Sequence, residues 1–208
     1  MRLHILSLFL LPLVSASFGP ESSSSRQNLL PNQQIPMAAP NEPDYTPKVN
    51  TQPTLTDLLT IESSASIFYS YARDTEASRM FDDVSTKLTL LAPTNKAVMA
   101  LARKPHQGPE RPDEDIVISE EQFDRESKEN IRRWVSAHII PQSLPLLQLG
   151  SLDTLLDGKS ISISKDKHAG SSAPEWQKVL VEDGLRITGM KEAANGVLYI
   201  LDGTIDPN

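Results

Sequence analysis

The chain has 208 residues, no cysteine and a formal net charge of −7 at pH 7. This length fits one domain with a flanking tail, and the core has to hold without disulfide bonds. The composition excludes thiolate nucleophiles and cysteine-based metal sites. The acidic balance argues against nucleic acid as a partner, because phosphate binding needs a basic surface.

The chain begins like a secretory signal peptide, over residues 1–16. Arg2 supplies the positive start, residues 5–14 form an apolar run, and Ala16 closes a small-residue cleavage site. The run is too short to span the roughly 30 Å of hydrocarbon in a bilayer. We therefore expect the signal to be removed, with no stable membrane insertion afterwards.

Residues 17–51 are rich in Pro and Ser and contain few large apolar side chains. Such a segment cannot bury enough surface to offset the entropy of ordering, so it predicts a disordered linker. We place one folded domain at residues 52–207. Short amphipathic helices are predicted to open this domain, with Thr54 or Thr56 as the first cap.

The central stretch, residues 88–102, is predicted to be a buried strand that turns directly into a helix. The strand leads into Ala92 and Pro93, and Pro93 ends the ladder because it has no N–H to donate. Thr94 and Asn95 can each cap the helix that follows. Nothing in this stretch is chemically reactive, so its polar side chains are interpreted as structural.

A polar loop interrupted by prolines is predicted at residues 103–118. Its acidic run at 113–115 lacks the spaced oxygen ligands and the Gly of a calcium loop, so it is interpreted as solvated. The longest helix then starts at Ser119 and has its main body at 125–137. His138 continues the apolar face of that helix, and we interpret it as a hydrogen-bonded core residue rather than a ligand or base.

The last third of the chain is expected to form short antiparallel strands. Residues 189–194 are expected to cross over, and the most strand-like run, residues 197–201, follows. Helices followed by such a sheet predict the α+β class. Pairs ending in Gly mark the expected tight turns, namely Asp157-Gly158, Asp183-Gly184, Asn195-Gly196 and Asp202-Gly203.

Three separated segments follow the signature pattern of one known family. They are the strand running into Ala92-Pro93-Thr94-Asn95, the helix ending in His138 and Pro141, and the strand between Asn195-Gly196 and Asp202-Gly203. In order and spacing they resemble the boxes of the fasciclin-like domain, and they cover about residues 52–207. The resemblance implies the fasciclin-like fold, with short N-terminal helices packed on an antiparallel β-sheet wedge, and structural roles for these motif residues.

The chain departs from the family pattern on either side of the central motif. Ala137 stands where many members have Tyr, and Gln142 stands where Gly is common. In animal members the Tyr/His pair is linked to adhesion through integrins, and that role is not carried over to His138. A single copy behind a signal peptide resembles small fungal members, which are associated with the secretory pathway and vacuole.

The resemblance implies a non-catalytic adhesion or interaction module, secreted or lumenal. Its partner would be an unknown protein or a cell-wall or matrix component, and its location the vacuole lumen or the outside of the cell. The loop at 103–118 and the helix after it are docking candidates by exposure. The alternative is binding of a small apolar ligand or lipid between the helices and the sheet.

An enzyme is the third hypothesis, and the sequence argues against it. Ser136 lies near His138 in sequence, but residues two positions apart on a helix face different directions. The chain has neither a Gly-x-Ser-x-Gly elbow nor a Gly-rich phosphate loop. His106 and His168 fall in predicted loops, and neither pairs with His138 at metal-ligand spacing. We therefore assign no catalytic, cofactor-binding or metal site.

Overall fold

The computed structural model describes residues 52–110, 119–182 and 184–208. The predicted signal peptide (1–16), the predicted linker (17–51) and the acidic run at 113–115 lie outside the described residues. The α-helices are α1 (Leu55–Ile61), α2 (Ser66–Ala72), α3 (Ser78–Asp82), α4 (Asn95–Ala100) and α5 (Glu120–Ala137). The strands are β1 (Leu88–Pro93), β2 (Ile139–Ile140), β3 (Gly150–Asp153), β4 (Ser160–Lys165), β5 (Val179–Val181), β6 (Leu185–Ala193) and β7 (Gly196–Leu201).

Side-chain caps fix where three of the helices start. The hydroxyl oxygens of Thr54, Thr94 and Ser119 each accept a backbone N–H from the first turn of α1, α4 and α5. Each cap satisfies a donor that has no partner inside its helix. The cap at Ser119 starts α5 at Glu120, so this helix is longer than the body predicted at 125–137.

The strands form one sheet in the order β2-β1-β7-β6-β5-β4-β3. The α+β prediction is confirmed, but the sheet is mixed rather than antiparallel throughout, because β1 and β7 run parallel from Leu88↔Gly196 to Pro93↔Leu201. Parallel neighbours need a long connection. Here α4, α5 and the strands β2 to β6 lie between the two in sequence, and no local pattern reports that pairing.

The parallel pair lies at the centre of the core, with both of its faces buried. Leu90 and Leu198 belong to one apolar cluster, which includes residues of α1, α2, α3 and α5. Leu91 and Tyr199, one position further along each strand, belong to a second cluster with residues of β4, β5 and β6. Alternate side chains of one strand pair therefore supply both halves of the core.

Two predicted connections differ from the structure. Between β3 and β4 the pairing ends at Asp153↔Ser160, so six residues, 154–159, replace the tight turn expected at Asp157-Gly158. In that connection Thr154 donates its hydroxyl to the Lys159 carbonyl at 2.9 Å. The crossover expected at 189–194 is also wrong, since β6 continues to Ala193, which pairs with Gly196 of β7. The turn therefore lies at Ala194-Asn195, one residue before the expected Asn195-Gly196.

None of the helices within the described ranges is long and apolar enough to cross a membrane.

Candidate functional site

Asn195 lies in the turn between β6 and β7 and is fully buried. Its side-chain oxygen accepts the backbone N–H of Leu55 at 2.9 Å. Its amide nitrogen donates to the carbonyl of Phe81 at 2.8 Å and approaches the carbonyls of Met80 and Asp83 at 3.3 Å. One side chain thus satisfies the start of α1 and the end of α3, where helical groups lack internal partners.

Asn95 plays the same kind of part at the start of α4. Its side-chain oxygen accepts the N–H of Ile67 at 2.8 Å, and its amide nitrogen donates to the Ser63 carbonyl at 2.8 Å. The same nitrogen is 3.1 Å from the Ser66 hydroxyl. Asn95 therefore fixes the entry into α2, while Thr94 rather than Asn95 caps α4.

His138 ends α5 and is fully buried. Its Nδ1 lies 2.7 Å from the Trp134 carbonyl, and its Nε2 accepts the N–H of Ile205 at 3.1 Å. Because a carbonyl can only accept, Nδ1 carries the proton and the ring is neutral. Burial lowers the pKa of His138 to about 4, and its hydrogen bond to the Trp134 carbonyl only partly offsets this.

Close packing explains the two motif glycines, strictly at Gly196, where the neighbour is backbone, and less strictly at Gly203, where it is a flexible side chain. A Cβ on Gly196 would overlap the Leu88 carbonyl oxygen of the parallel neighbour. A Cβ on Gly203 would overlap the side chain of Leu185. Asp202, between β7 and Gly203, accepts the N–H of Arg186 at 2.7 Å.

The remaining motif residues end strands. Ala92 and Pro93 close β1 in its pairing with β7. Pro141 is exposed and directly follows β2. The structure thus distributes the motif residues among separate corners of the fold, and it brings no pair of Asn95, His138 and Asn195 into hydrogen-bond contact.

Neither ring nitrogen of His138 contacts a hydroxyl, because both bond to the backbone. Nucleophilic catalysis requires a hydroxyl or thiol held against such a base. Ser136 is buried nearby on α5, without a hydrogen bond to the ring. Within the described residues no group of three or more His, Asp and Glu side chains is placed so that it could hold a metal ion.

A concave site that the sequence did not indicate lies beside the second half of α5. The cavity has a volume of about 290 Å³ and is bounded by α5, the loop at 101–109 and the segment 204–208. Trp134, the residue one turn before His138, lies in its wall, as does Ile205. The cations of this site are Arg103, Lys104 and Arg133.

The cavity residues come from parts of the chain that no local pattern connects. Arg133 and Trp134 are neighbours on α5, where Trp134 is buried and Arg133 is half-buried. Arg103 and Lys104 fell in a predicted surface loop. The signal available in sequence was the Arg-Trp pair itself, and it is ordinary for an amphipathic helix.

The model of the family described as the Fasciclin domain matches residues 63–207, most of the chain. This chain belongs to the fasciclin domain family. The three-box resemblance is thereby confirmed. Members of the family generally act as adhesion or interaction modules and are generally not enzymes.

Fungal members of the fasciclin family include similar proteins. A FAS1 domain-containing protein of Emericella nidulans is 28% identical over 191 residues, covering 88% of this chain and 75% of its own length. One from Aspergillus fumigatus is 32% identical over 163 residues, covering 74% of this chain and 64% of its own. One from Candida glabrata is 28% identical and is covered over 62% of its length. The chain thus spans about two thirds of these relatives.

Among solved structures, a FAS1 domain pair from the insect cell adhesion molecule fasciclin I aligns with this fasciclin domain at a TM-score of 0.44 and 16% identity. The alignment covers 69% of this chain and 45% of that chain.

Proposed function

We propose that this fasciclin-domain chain is a non-catalytic interaction module that works in the secretory pathway, in the vacuole lumen or outside the cell. Its partner is a protein or a cell-wall or matrix component. The observation that supports this most is the internal use of the polar motif side chains. Asn95, His138 and Asn195 bond to backbone groups of the domain itself, which leaves recognition to the outer surface.

The outer surface we propose for docking is the first half of α5. Residues 119–125 are all exposed, and among them Phe123 is 48% exposed. The surrounding side chains of this half are charged, and they include Glu120, Glu121 and Asp124. An exposed aromatic ring rimmed by charge is the composition that protein interfaces favour at their anchors.

The test compares two variants of the purified chain. In Phe123→Ser, an exposed aromatic residue is removed from the proposed face. In the matched control Ile61→Ser, a side chain that is 70% exposed is removed from α1 instead. Quantitative proteomics after cross-linking of secretory and cell-wall extracts should show partners that Phe123→Ser loses and Ile61→Ser keeps. Equal capture by both variants contradicts the proposed face.

A second experiment tests the non-catalytic part. The purified chain is assayed on a panel of esters and glycosides, beside His138→Ala, with folding of the variant checked by circular dichroism. We expect no turnover above background for either protein. A specific turnover that disappears in a folded His138→Ala protein would overturn the proposal.

The location is tested by following a C-terminal tag and by sequencing the N-terminus of the mature chain. Cleavage after Ala16 predicts that the mature chain starts at Ser17. The tag should be found in the vacuole lumen or in the medium and cell wall. A cytosolic tag on an uncleaved chain contradicts the secretory setting.

A further inference from the structure

We propose that the cavity beside α5 binds a small amphipathic anion, with its apolar body against Trp134 and its carboxylate or phosphate head between Arg103 and Arg133. This goes beyond the proposed function, since it concerns a small molecule and the second half of α5 rather than the first. It also places the ligand beside α5 and the segment 204–208, rather than between helices and sheet as the sequence-based alternative had it.

The apolar part of the argument rests on the cavity walls. Leu101, Pro105, Trp134 and Ile205 line the cavity with carbon atoms; Leu101 is half-buried, and Trp134, 3% exposed, contributes only a small part of its surface. The volume of about 290 Å³ lies just below the roughly 300–1,000 Å³ typical of ligand pockets. A short alkyl or single-ring body suits this volume, and a sterol or a complete phospholipid is too large for it.

Two arginines in the cavity wall have N–H donors without a partner among the described residues, and these favour an anionic head group. A guanidinium has five N–H groups. Arg103 donates from Nε to the Gly108 carbonyl at 2.9 Å and from Nη2 to the Gln107 carbonyl at 3.3 Å. Arg133 donates from Nη2 to the Pro207 carbonyl at 3.2 Å. Both side chains are held in place by backbone carbonyls and retain further N–H groups.

Neither of these arginines forms an ion pair, at 4.0 Å or less, with a carboxylate among the described residues. Glu129, one turn before Arg133 on α5, forms its ion pair with Arg132 at 2.6 Å; the hydrogen bond to Arg132 lowers the pKa of Glu129 most, and the charge of Arg133 adds a smaller attraction. Elsewhere in the cavity wall Asp206 accepts hydrogen bonds from Asn208. Among its described residues the wall therefore carries the cations Arg103, Lys104 and Arg133 against the single acidic side chain Asp206, and the two guanidiniums have unused donors, which favours a ligand with one anionic head.

Lys104 adds charge to the cavity without offering a donor of its own. Its ammonium group donates to the carbonyls of Met99 at 2.8 Å, Leu101 at 3.0 Å and Val98 at 3.5 Å, at the end of α4. Its fixed position strengthens the positive potential felt by an anionic head. The recognition itself falls to the guanidiniums, which suit the geometry of carboxylate and phosphate oxygens.

The probe is sodium decanoate, with decanol as the uncharged molecule of the same chain length. The chain has two tryptophans, and Trp176→Phe leaves Trp134 as the single reporter in the cavity wall. Decanoate should change the fluorescence of Trp134 in a saturable way. Decanol should bind about tenfold more weakly, because it lacks the charge-assisted hydrogen bonds.

Three further substitutions, each made in the Trp176→Phe background, assign the head group. Arg133→Gln and Arg103→Gln should each weaken decanoate binding by about tenfold and leave decanol unchanged. Arg132→Gln is the matched control, since Arg132 is the neighbouring cation on α5 and is already paired with Glu129. Equal binding of decanoate and decanol, or equal loss in all three variants, overturns the proposal, and so does a response that does not saturate.

The same head chemistry occurs on free fatty acids and on membrane lipids. Vesicles of phosphatidylcholine mixed with phosphatidic acid form the second arm of the test. Saturable decanoate binding without sedimentation on these vesicles assigns a free amphiphile, as the cavity volume leads us to expect. The proposal is overturned if the chain binds these vesicles, keeps binding them as Arg133→Gln, and shows no response to decanoate. That result would indicate a contact between the protein surface and the membrane.

Discussion

His138 is of a residue type common in active sites, but here both of its ring nitrogens form structural hydrogen bonds. Its ring centroid lies 4.7 Å from that of Trp134 and 5.6 Å from that of Phe68, and its nitrogens bond to backbone groups on either side. It thereby ties the end of α5 to the segment at Ile205. The Nε2 atom can accept from Ile205 only while it is unprotonated, so this tie depends on the neutral ring.

That dependence predicts acid sensitivity. The pKa of His138 is about 4 in the folded chain and near the ordinary 6.5 once unfolded. The unfolded chain therefore binds this proton first, and stability is lost as pH falls from about 6.5 towards 4. Between pH 7.5 and pH 5 the loss from this residue should be about 2 kcal/mol.

Urea unfolding at several pH values measures this loss. In His138→Gln the decrease of stability between pH 7.5 and pH 5 should be smaller by about that amount. The exposed His168→Gln should retain the full decrease. Proton NMR of the His138 ring gives a direct reading, and a ring that is protonated in the folded protein at pH 6 contradicts the prediction.

Asn195 carries the second prediction at the scale of single residues. Asn195→Ala leaves the N–H of Leu55 and the carbonyl of Phe81 buried without their partner, which costs about 1–3 kcal/mol for each unsatisfied group. Asn195→Asp keeps the acceptor for Leu55 but turns a carboxylate oxygen towards the carbonyl of Phe81. It should be destabilising at pH 7 and should recover part of its stability at lower pH, where the carboxyl protonates and can donate.

Thermal melts of these variants, with Asn95→Ala beside them, check this ranking. Asn95 is only half-buried, so its removal lets water reach the freed groups and should cost less than Asn195→Ala. Similar melting temperatures for Asn195→Ala and the unmodified chain would remove the assigned role.

What the sequence reveals about these residues has a clear limit. Thr94, Asn95 and Asn195 could be singled out because caps and turns have local signatures. Their partners could not, since Asn195 bonds to Leu55 across 140 positions of sequence. The inward direction of His138 followed from helical spacing, whereas the identity of both hydrogen-bond partners required the fold.

Among the elements, the parallel pair of β1 and β7 is the feature that sequence reasoning missed. In sequence each strand is a short apolar run. Such a run indicates that both faces of the strand are buried, but it does not indicate which strand lies beside it. Helix starts were more accessible, because Thr54 and Ser119 are caps that act within one turn. Local chemistry thus predicted where elements begin, and long-range pairing decided how they are ordered.

The close approach of these two strands makes Gly196 sensitive to any side chain. A Cβ there would meet the carbonyl oxygen of Leu88, and a backbone atom cannot swing away as a flexible side chain can. Gly196→Ala should therefore cost at least about 1–3 kcal/mol, and Gly196→Val more.

Urea unfolding measures the cost, with Gly170→Ala as the matched control. Gly170 has open space where a Cβ would stand, so this substitution should be close to neutral. If Gly196→Ala unfolds at the same urea concentration as Gly170→Ala, the strands do not approach each other as closely as the structure has them.

At the scale of the domain, the two apolar clusters share one support. Side chains of β1 and β7 alternate between the cluster under the helices and the cluster under β4 to β6. Because both clusters include side chains of these two strands, displacing the strands would expose both clusters to solvent. The structure therefore predicts one cooperative unfolding unit over the described residues, even though the clusters lie on opposite faces of the sheet.

Each cluster contains its own fluorescent reporter, which makes this last prediction measurable. Trp134 belongs to the helix-side cluster, and the half-buried Trp176 packs against the other. In Trp176→Phe the fluorescence of Trp134 should follow the same urea transition as far-ultraviolet circular dichroism. In Trp134→Phe the signal of Trp176 should do likewise, at a lower urea concentration because a buried ring has been reduced. If Trp176 reports a transition that precedes the loss of secondary structure, the β4–β6 side unfolds by itself, and the shared strands do not couple the two clusters.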